Sequence, residues 1–334
     1  TLTVSVRAPL IFDEAKGEVK ELVPRRNEYF SLFNRTIIYP KVEDSMLIDD
    51  FCDEMLKMVQ DHPSKDILII HNTIKSAKQV FKYLQDNVVD KKDIDFIFLS
   101  TAVIPKHRSQ RIKSINKCAK RKIVVSTQLI EAGVDIDMDI VVRDIGPWDS
   151  IIQAAGRANR NNKGKLGHVY VYILKNQMKE YYRYIYKDSY LTIQKTLDLL
   201  KNRSEIQESE YGELTREYFK KIHYDRDGSA NTSSSLLTYI GDMRFETVNK
   251  EFQLIDELPN KVDVFVELDD KARNIWYEFQ QLKGIDLPFE RKKKFFEMKN
   301  RFYQYVISVD SRDVIMDDCG WVGYISMEQL SNMY

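Results

Sequence analysis

Gln153, Arg157 and Arg160 stand at i, i+4 and i+7 of the segment Gln153-Ala154-Ala155-Gly156-Arg157-Ala158-Asn159-Arg160, a spacing that predicts one stripe of a helix. Two guanidiniums on one face repel unless they meet an anion, and the planar fork of arginine matches phosphate oxygens two at a time. The chemistry open to such a pair is stabilisation of charge developing on a phosphoryl group. By analogy with nucleotide hydrolases, an inserted arginine supplies roughly 10³ to 10⁵ in rate. Gly156, between the polar residues, permits another backbone to approach closely. A solvated basic helix face is the competing account.

A second group lies upstream, in Val124-Val125-Ser126-Thr127-Gln128-Leu129-Ile130-Glu131-Ala132-Gly133-Val134-Asp135-Ile136-Asp137. It reads as a buried strand ending in two hydroxyls, a short turn of helix, and a loop that starts at Gly133 and bears carboxylates. Hydroxyls and amides at a strand's end, here Ser126, Thr127 and Gln128, suit a sugar-phosphate backbone, and Asp135 suits a ribose hydroxyl or the orientation of an arginine. Ile69-Ile70-His71-Asn72-Thr73 repeats the pattern, and a helix beginning Pro105-Lys106-His107-Arg108 adds cations. From Lys106 to Ile130 there are eight Lys or Arg and no acidic residue, and from Ser150 to Lys179 six and none. Such local excess is the footprint of a polyanion partner.

Positioning these groups falls to alternating strands and helices. Ile67–Ile70 is a short, continuously apolar strand, followed by apolar residues at helical spacing from Ile74 to Leu84. Strands at 96–99, 123–125, 140–142 and 169–173, with helices at 106–117 and 150–159, continue the series. The expected fold is α/β: a mostly parallel sheet covered by helices on both faces, with ligand loops at the carboxyl ends of its strands. Residues 1–44 read as a hairpin and connector, 45–175 as the sheet domain, 176–230 as a Tyr-rich helical linker whose tyrosines suit base stacking but are better explained by packing an interface, and 231–334 as a small α+β domain. Within that tail, 227–235 reads as a loop, 252–255 and 262–268 as a hairpin, 269–283 and 288–301 as helices, and 305–309 as a strand. Arg291-Lys292-Lys293-Lys294-Phe295-Phe296 could touch nucleic acid, but the solvated basic side of an amphipathic helix is the favoured account. Asp13-Glu14 imitates a nucleotide-site carboxylate pair but reads as a solvated turn.

Composition sets bounds. Lys plus Arg and Asp plus Glu both number 51, so the 334-residue chain has no net pull on polyanions or membranes, and any attraction is local. The three cysteines, Cys52, Cys118 and Cys319, are scattered and odd in number, which argues against a disulfide framework and for a reducing cytoplasm. His71, His107 and His168 lack metal-ligand spacing, so no metal site is expected within the chain. No run is long and apolar enough to span a membrane, and no signal peptide is recognisable. A chain that begins at Thr1 is expected to be a fragment or a processed product.

On the segments 126–135 and Gly146-Pro147-Trp148-Asp149-Ser150-Ile151-Ile152-Gln153-Ala154-Ala155-Gly156-Arg157-Ala158-Asn159-Arg160, the chain resembles the superfamily 2 helicases, and more narrowly the CRISPR-associated interference helicase of type I systems. The likeness covers 67–173 well and the tail loosely, and it identifies the sheet as the second RecA-like half. It implies ATP-driven movement along single-stranded DNA, a crRNA-guided surveillance complex as recruiter, and an HD nuclease domain or subunit. It also implies that Arg157 and Arg160 contact ATP phosphates with Arg160 as arginine finger, and that Gln153, Asp135, Gly133 and Gly156 belong to the nucleotide face. Asn72, Thr73, Arg108, Ser126, Thr127 and Gln128 then lie along the DNA track. The sequence shown has no Gly-x-x-x-x-Gly-Lys-Ser/Thr loop and no His and Asp pair suited to a two-metal nuclease. ATP with Mg2+ is therefore expected to bind jointly with an N-terminal motor half, and the chain alone to turn over neither ATP nor DNA. A repair or RNA helicase of the same superfamily, or a non-catalytic nucleic-acid-binding module, are the rival readings.

Overall fold

Segments such as Ile67-Leu68-Ile69-Ile70 and Ile140-Val141-Val142 offer solvent nothing on either face, so they are stable only where helices cover both sides of a sheet. The computed structural model describes residues 28–29, 32–117, 119–131, 133–162, 164–227, 231–252, 261–310 and 322–331. In chain order the first unit contains β1 (Thr36–Leu47), α1 (Ile48–Asp61), β2 (Ile67–His71), α2 (Ile74–Asn87) and β3 (Ile94–Leu99). After α3 (Pro105–Lys117), which clusters with the C-terminal segment, come β4 (Arg121–Thr127), β5 (Ile140–Asp144), α4 (Trp148–Ala155) and β6 (Gly167–Lys175). Short α5 (Tyr182–Ile185), α6 (Tyr190–Leu200), β7 (Ile206–Gln207), α7 (Tyr211–Asp227), α8 (Asn231–Gly241) and α9 (Phe245–Glu251) complete it.

The strands form one seven-stranded sheet in the order β3-β4-β2-β5-β6-β1-β7. β2 runs parallel to β4 and β5, β5 to β6, and β6 to β1, whereas β7 pairs antiparallel at the edge. Every residue of β2 and of β5 is buried, as a sheet covered on both faces requires. Each such Ile, Leu or Val contributes roughly 1.5–3 kcal/mol relative to exposure. This is the expected α/β architecture, and the sheet reaches past residues 45–175 on both sides. β1 begins at Thr36, inside the stretch read as connector, and β7 lies inside the stretch read as helical linker.

α2 shows why these helices start where they do. Thr73 is its N-cap, with Oγ1 accepting from Ser76 N at 3.0 Å, which satisfies one of the free amides of the first turn. Ala77, Val80 and Leu84 then face the sheet. The Tyr-rich segment splits rather than forming one helix: Tyr181 and Tyr182 are buried, whereas Tyr184 and Tyr190 are part-exposed.

In the second unit, α3 accompanies β8 (Lys261–Val266), α10 (Asp270–Gln281), α11 (Pro288–Phe302), β9 (Val306–Asp310), β10 (Gly323–Ile325) and α12 (Met327–Ser331). β8 is central, parallel to β10 and antiparallel to β9. Its Phe265 packs with Trp276, Phe279, Phe302 and Tyr305 in an aromatic core. Lys106 of α3 pairs with Asp269 and donates to Tyr305 Oη at 2.9 Å.

The expected N-terminal hairpin at residues 1–23 and most of the strand at 252–255 lie outside the described residues. The loop expected over 227–235 is corrected at its end, where Asn231 opens α8. Ser and Thr favour helix starts, so a polar Asn-Thr-Ser run is as compatible with a first turn as with a loop.

Candidate nucleotide and nucleic-acid face of the RecA-like unit

The carboxyl ends of β2, β4 and β5 carry the groups singled out by sequence. Their common feature is a buried polar network around Arg143, the penultimate residue of β5, which is fully buried. Its Nη1 donates to Asn72 Oδ1 at 2.7 Å and to Asp144 O at 2.6 Å, and its Nη2 to Ser150 Oγ at 3.2 Å and Tyr186 Oη at 3.3 Å. Glu131 Oε1 lies 2.8 Å from Arg143 Nε. The two atoms are not aligned for a hydrogen bond, so the contact is an ion pair. Ser150 Oγ donates to Glu131 Oε2 at 2.6 Å. Burial opposes the charge on Arg143, but Glu131, Tyr186 and Asp144 together outweigh it and hold the guanidinium above its ordinary value.

This network engages several residues expected on the nucleic-acid track. Asn72 is buried, its Nδ2 donates to Ile145 O at 2.6 Å, and Gln128 Nε2 donates to Asn72 O at 3.2 Å and Oδ1 at 3.3 Å. Ser126 is fully buried with Oγ donating to Thr127 O at 3.0 Å, and Thr127 itself is buried. Thr73 is half-buried and spends Oγ1 on its cap. Asn72 and Gln128 are thus brought into contact, whereas Arg108 lies on α3 in the other unit, partly buried, with Nη1 3.5 Å from Ser100 O.

The arginine segment departs from the expected stripe. α4 ends at Ala155 with Gly156 as C-cap, so Arg157 and Arg160 do not share a helical face with Gln153, which is half-buried on α4. Gly156 has φ −64° and ψ −1°, an ordinary right-handed conformation. The chain is drawn off helical course by pairing with Met138: Met138 N donates to Arg157 O at 2.9 Å and Asn159 N to Met138 O at 2.8 Å. Asn159 takes φ +43°, the left-handed region that Asn tolerates better than most residues. Its Nδ2 donates to Arg35 O at 3.1 Å. A Cβ on Gly167 would sit 2.9 Å from Ala158 Cβ and 3.1 Å from its carbonyl carbon, so only glycine lets β6 begin against this turn.

The two arginines therefore have different surroundings. Arg157 is buried, with Nε donating to Ile130 O at 3.1 Å and Nη2 to Glu131 O at 2.6 Å. Burial first, and the nearby Arg160 second, push its pKa down. Arg160 keeps 27 % of its side chain exposed and pairs through Nε with Asp135 Oδ1 at 2.8 Å. Asp137 fixes the backbone beneath, its Oδ1 accepting from Arg160 N at 2.8 Å. Gly133 starts this loop with φ +72°, a conformation glycine adopts without strain.

Chemically, this edge can present one partly exposed guanidinium to an anion, oriented by an exposed carboxylate, behind which Arg157 ties the loop at 130–131 to the turn. Among the described residues no three His, Cys, Asp or Glu side chains are grouped to hold a metal ion, and none of the chain's helices, among those residues, is long and apolar enough to cross a membrane. Arg143, Glu131 and Ser150 were not singled out by sequence as a unit. A charged pair, Arg143-Asp144, closing an otherwise apolar strand was the available signal.

A mostly parallel, helix-covered sheet with an arginine-bearing turn and a glycine-started acidic loop at its carboxyl edge has the architecture of a RecA-like domain. Residues 63–163 match the family model for the C-terminal region of CRISPR-associated nuclease/helicase Cas3. The Cas3 protein of Methanothermobacter thermautotrophicus is 33% identical over 125 residues, 36% of this chain and 14% of that protein. That of Streptococcus thermophilus is 32% identical over 99 residues, 28% of this chain and 10% of that protein. The crystal structure of T. fusca Cas3 with AMPPNP superposes with a TM-score of 0.57 at 14% identity, covering 88% of this chain and 39% of that one. Over its RecA-like unit the chain is thus similar in sequence to the C-terminal region of the Cas3 nuclease/helicases, and it shares their fold. It matches only a seventh or less of the length of those curated relatives.

Proposed function

We propose that this chain supplies the arginine-finger half of an ATP-driven motor that moves along single-stranded DNA in CRISPR interference. The observation that carries the reading is Arg160, partly exposed and aimed by Asp135 on the Gly133 loop. An arginine finger needs this arrangement: a guanidinium free to meet phosphate oxygens, held in place before they arrive. Arg157 is proposed to act with it from the same turn, and Gln153 from the helix that Gly156 ends.

ATP fits this edge as half of a site. The residues present offer a cation and a carboxylate but no phosphate-cradling loop, so the nucleotide and its Mg2+ are held jointly with an N-terminal motor half. When bound, the nucleotide supplies the phosphoryl group on which Arg160 acts. Ser126, Thr127, Gln128, Asn72, Thr73 and Arg108 are the groups proposed to border the DNA path. In this reading 45–175, with β1 and β7 completing its sheet, is the motor domain, 176–230 links onward, and the C-terminal domain lies within 231–334. The partners are single-stranded DNA, an HD nuclease domain or subunit, and a crRNA-guided surveillance complex.

Support comes from the Cas3 relatives, and T. fusca Cas3 has been crystallised with AMPPNP, ADP and ATP. The test is ATP turnover by the isolated chain and by the chain combined with an N-terminal motor half. The expected result is turnover only in the combination, stimulated far more by single-stranded DNA than by RNA. Turnover by the isolated chain that Arg160→Ala abolishes, or equal stimulation by RNA, overturns it.

A further inference from the structure

α11 has one face in the aromatic core of its unit, through Met298 and Phe302 with Phe295 packed beside them. A second face carries large rings into solvent. Phe289 is 80% exposed, Phe296 57% and Tyr303 42%. These three are seven residues apart, so successive rings drift only about 20° around the helix and stand about 10 Å apart along its axis. Lys292, Lys293 and Lys299, all exposed, fall between them at i+3, i+4 and i+10 from Phe289. Lys299 Nζ lies 5.4 Å from the Phe296 ring centre and 5.8 Å from that of Tyr303. The helix's acidic residues, Glu290 and Glu297, are also seven apart and follow a different line. Lys292 and Lys293 join none of the ion pairs found among the described residues.

Rings exposed singly need no explanation, but a row of them interleaved with cations marks an interaction surface. Charge selects an anionic partner, and regularly spaced rings select one with flat faces between its charges. We propose that this face of α11 is a stacking platform for single-stranded nucleic acid, in which Phe289, Phe296 and Tyr303 stack bases while Lys292, Lys293 and Lys299 hold phosphates. It deepens the motor reading by adding a strand-binding surface outside the RecA-like unit, and it rests on that reading for the strand's being DNA. The basic run 291–296 alone does not single out this face, because the rings, not the lysines, distinguish it.

The test uses this chain with a fluorescein-labelled 30-nucleotide oligothymidine, read by anisotropy. The triple variant Phe289→Ala/Phe296→Ala/Tyr303→Ala is expected to bind at least about tenfold more weakly, from the loss of stacked bases. Its circular dichroism should be nearly unchanged, because Phe289 and Phe296 are mostly exposed and Tyr303, edge-on to Phe295 and Phe302, is part-exposed just past the end of α11. Phe289→Ala/Phe296→Ala, which leaves Tyr303 in place, is expected to weaken binding in the same direction. Lys292→Gln/Lys293→Gln is expected to lower the slope of log affinity against log salt by about 1.4, for two single-strand phosphates. Wild-type affinity in both variants overturns the platform. Loss in Thr127→Val alone also overturns it, while leaving the motor reading standing. Binding of phosphatidylserine vesicles that the oligonucleotide does not displace assigns the face to a membrane and overturns it as well. Absence of any binding by the wild-type chain overturns it too, and the motor reading is then judged by ATP turnover.

Discussion

Arg160 and Asp135 meet at 2.8 Å, Nε to Oδ1, from turns on two separate segments, with 27% and 80% of their side chains exposed. Such a pair contributes little to folding, about 0.2–1 kcal/mol, yet it fixes the direction of the one partly exposed guanidinium of the arginine turn. In the combined motor, Arg160→Ala is expected to lower ATP turnover by about 10³-fold or more, with single-stranded DNA affinity and the urea midpoint nearly unchanged. A parallel loss of DNA affinity would instead make Arg160 a strand-binding residue.

Arg143 is the opposite kind of cation. Arg143→Met leaves Glu131 and Asn72 without their buried partner, and breaking one side of such a pair costs about 3–5 kcal/mol. Urea unfolding should show that loss, and adding Glu131→Gln should recover part of it, since the uncompensated charge is then gone. A stability change below about 1 kcal/mol for Arg143→Met would mean that water reaches the network.

The turn that carries Arg160 is held by backbone conformation and close approach. Asn159→Gly is expected to preserve the positive φ, whereas Asn159→Val, a β-branched residue at φ +43°, is expected to cost about 1–2 kcal/mol and to reduce turnover. Gly167→Ala should act alike by pushing on Ala158, at an overpacking cost of about 1–3 kcal/mol. Unfolding midpoints and ATP turnover in the combined motor, measured together, check both. Full activity in Gly167→Ala would show that the turn shifts without consequence.

Two buried groups make stability depend on pH in opposite senses. Burial first, and Arg143 second, push His71 down to about 3 from 6.5. Between those values the unfolded chain holds a proton that the folded one does not, so stability present above pH 6.5 is lost as pH falls toward 3. Burial pushes Asp144 up to about 7 from 3.8, against the pull of Arg143 and of backbone amides. Here the folded chain holds the extra proton, so stability present below 3.8 is lost as pH rises toward 7. Urea unfolding between pH 4 and 8 should therefore show wild type minus His71→Leu rising with pH up to about 6.5. Wild type minus Asp144→Asn should fall over about pH 4–7. Flat differences would show that neither group is sealed from solvent.

The strands were legible because their signal is local: Ile67–Ile70 and Ile140–Val142 are apolar on both faces, and only a covered parallel sheet accommodates that. β7 was not, since a two-residue edge strand has no periodicity to read. The spacing of Gln153, Arg157 and Arg160 suggested a helix because nothing within those eight residues reveals that Met138 will pair with Arg157 and Asn159. Asn72 illustrates the same limit, its amide being spent on Ile145 and Arg143, which follow it by some seventy residues in the sequence.

By itself, then, the sequence determined the α/β class, the carboxyl edge where the polar motifs gather, and the likeness of those motifs to the Cas3 family, because apolar runs and motif spacings are properties of neighbouring residues. Only the tertiary structure decided which arginine is offered and which is held: Arg157 ties down the carbonyls of Ile130 and Glu131, Arg160 remains partly exposed beside Asp135, and Arg143 anchors the network beneath them. Burial and pairing arise between segments far apart in the chain, and a guanidinium's role follows from what surrounds it.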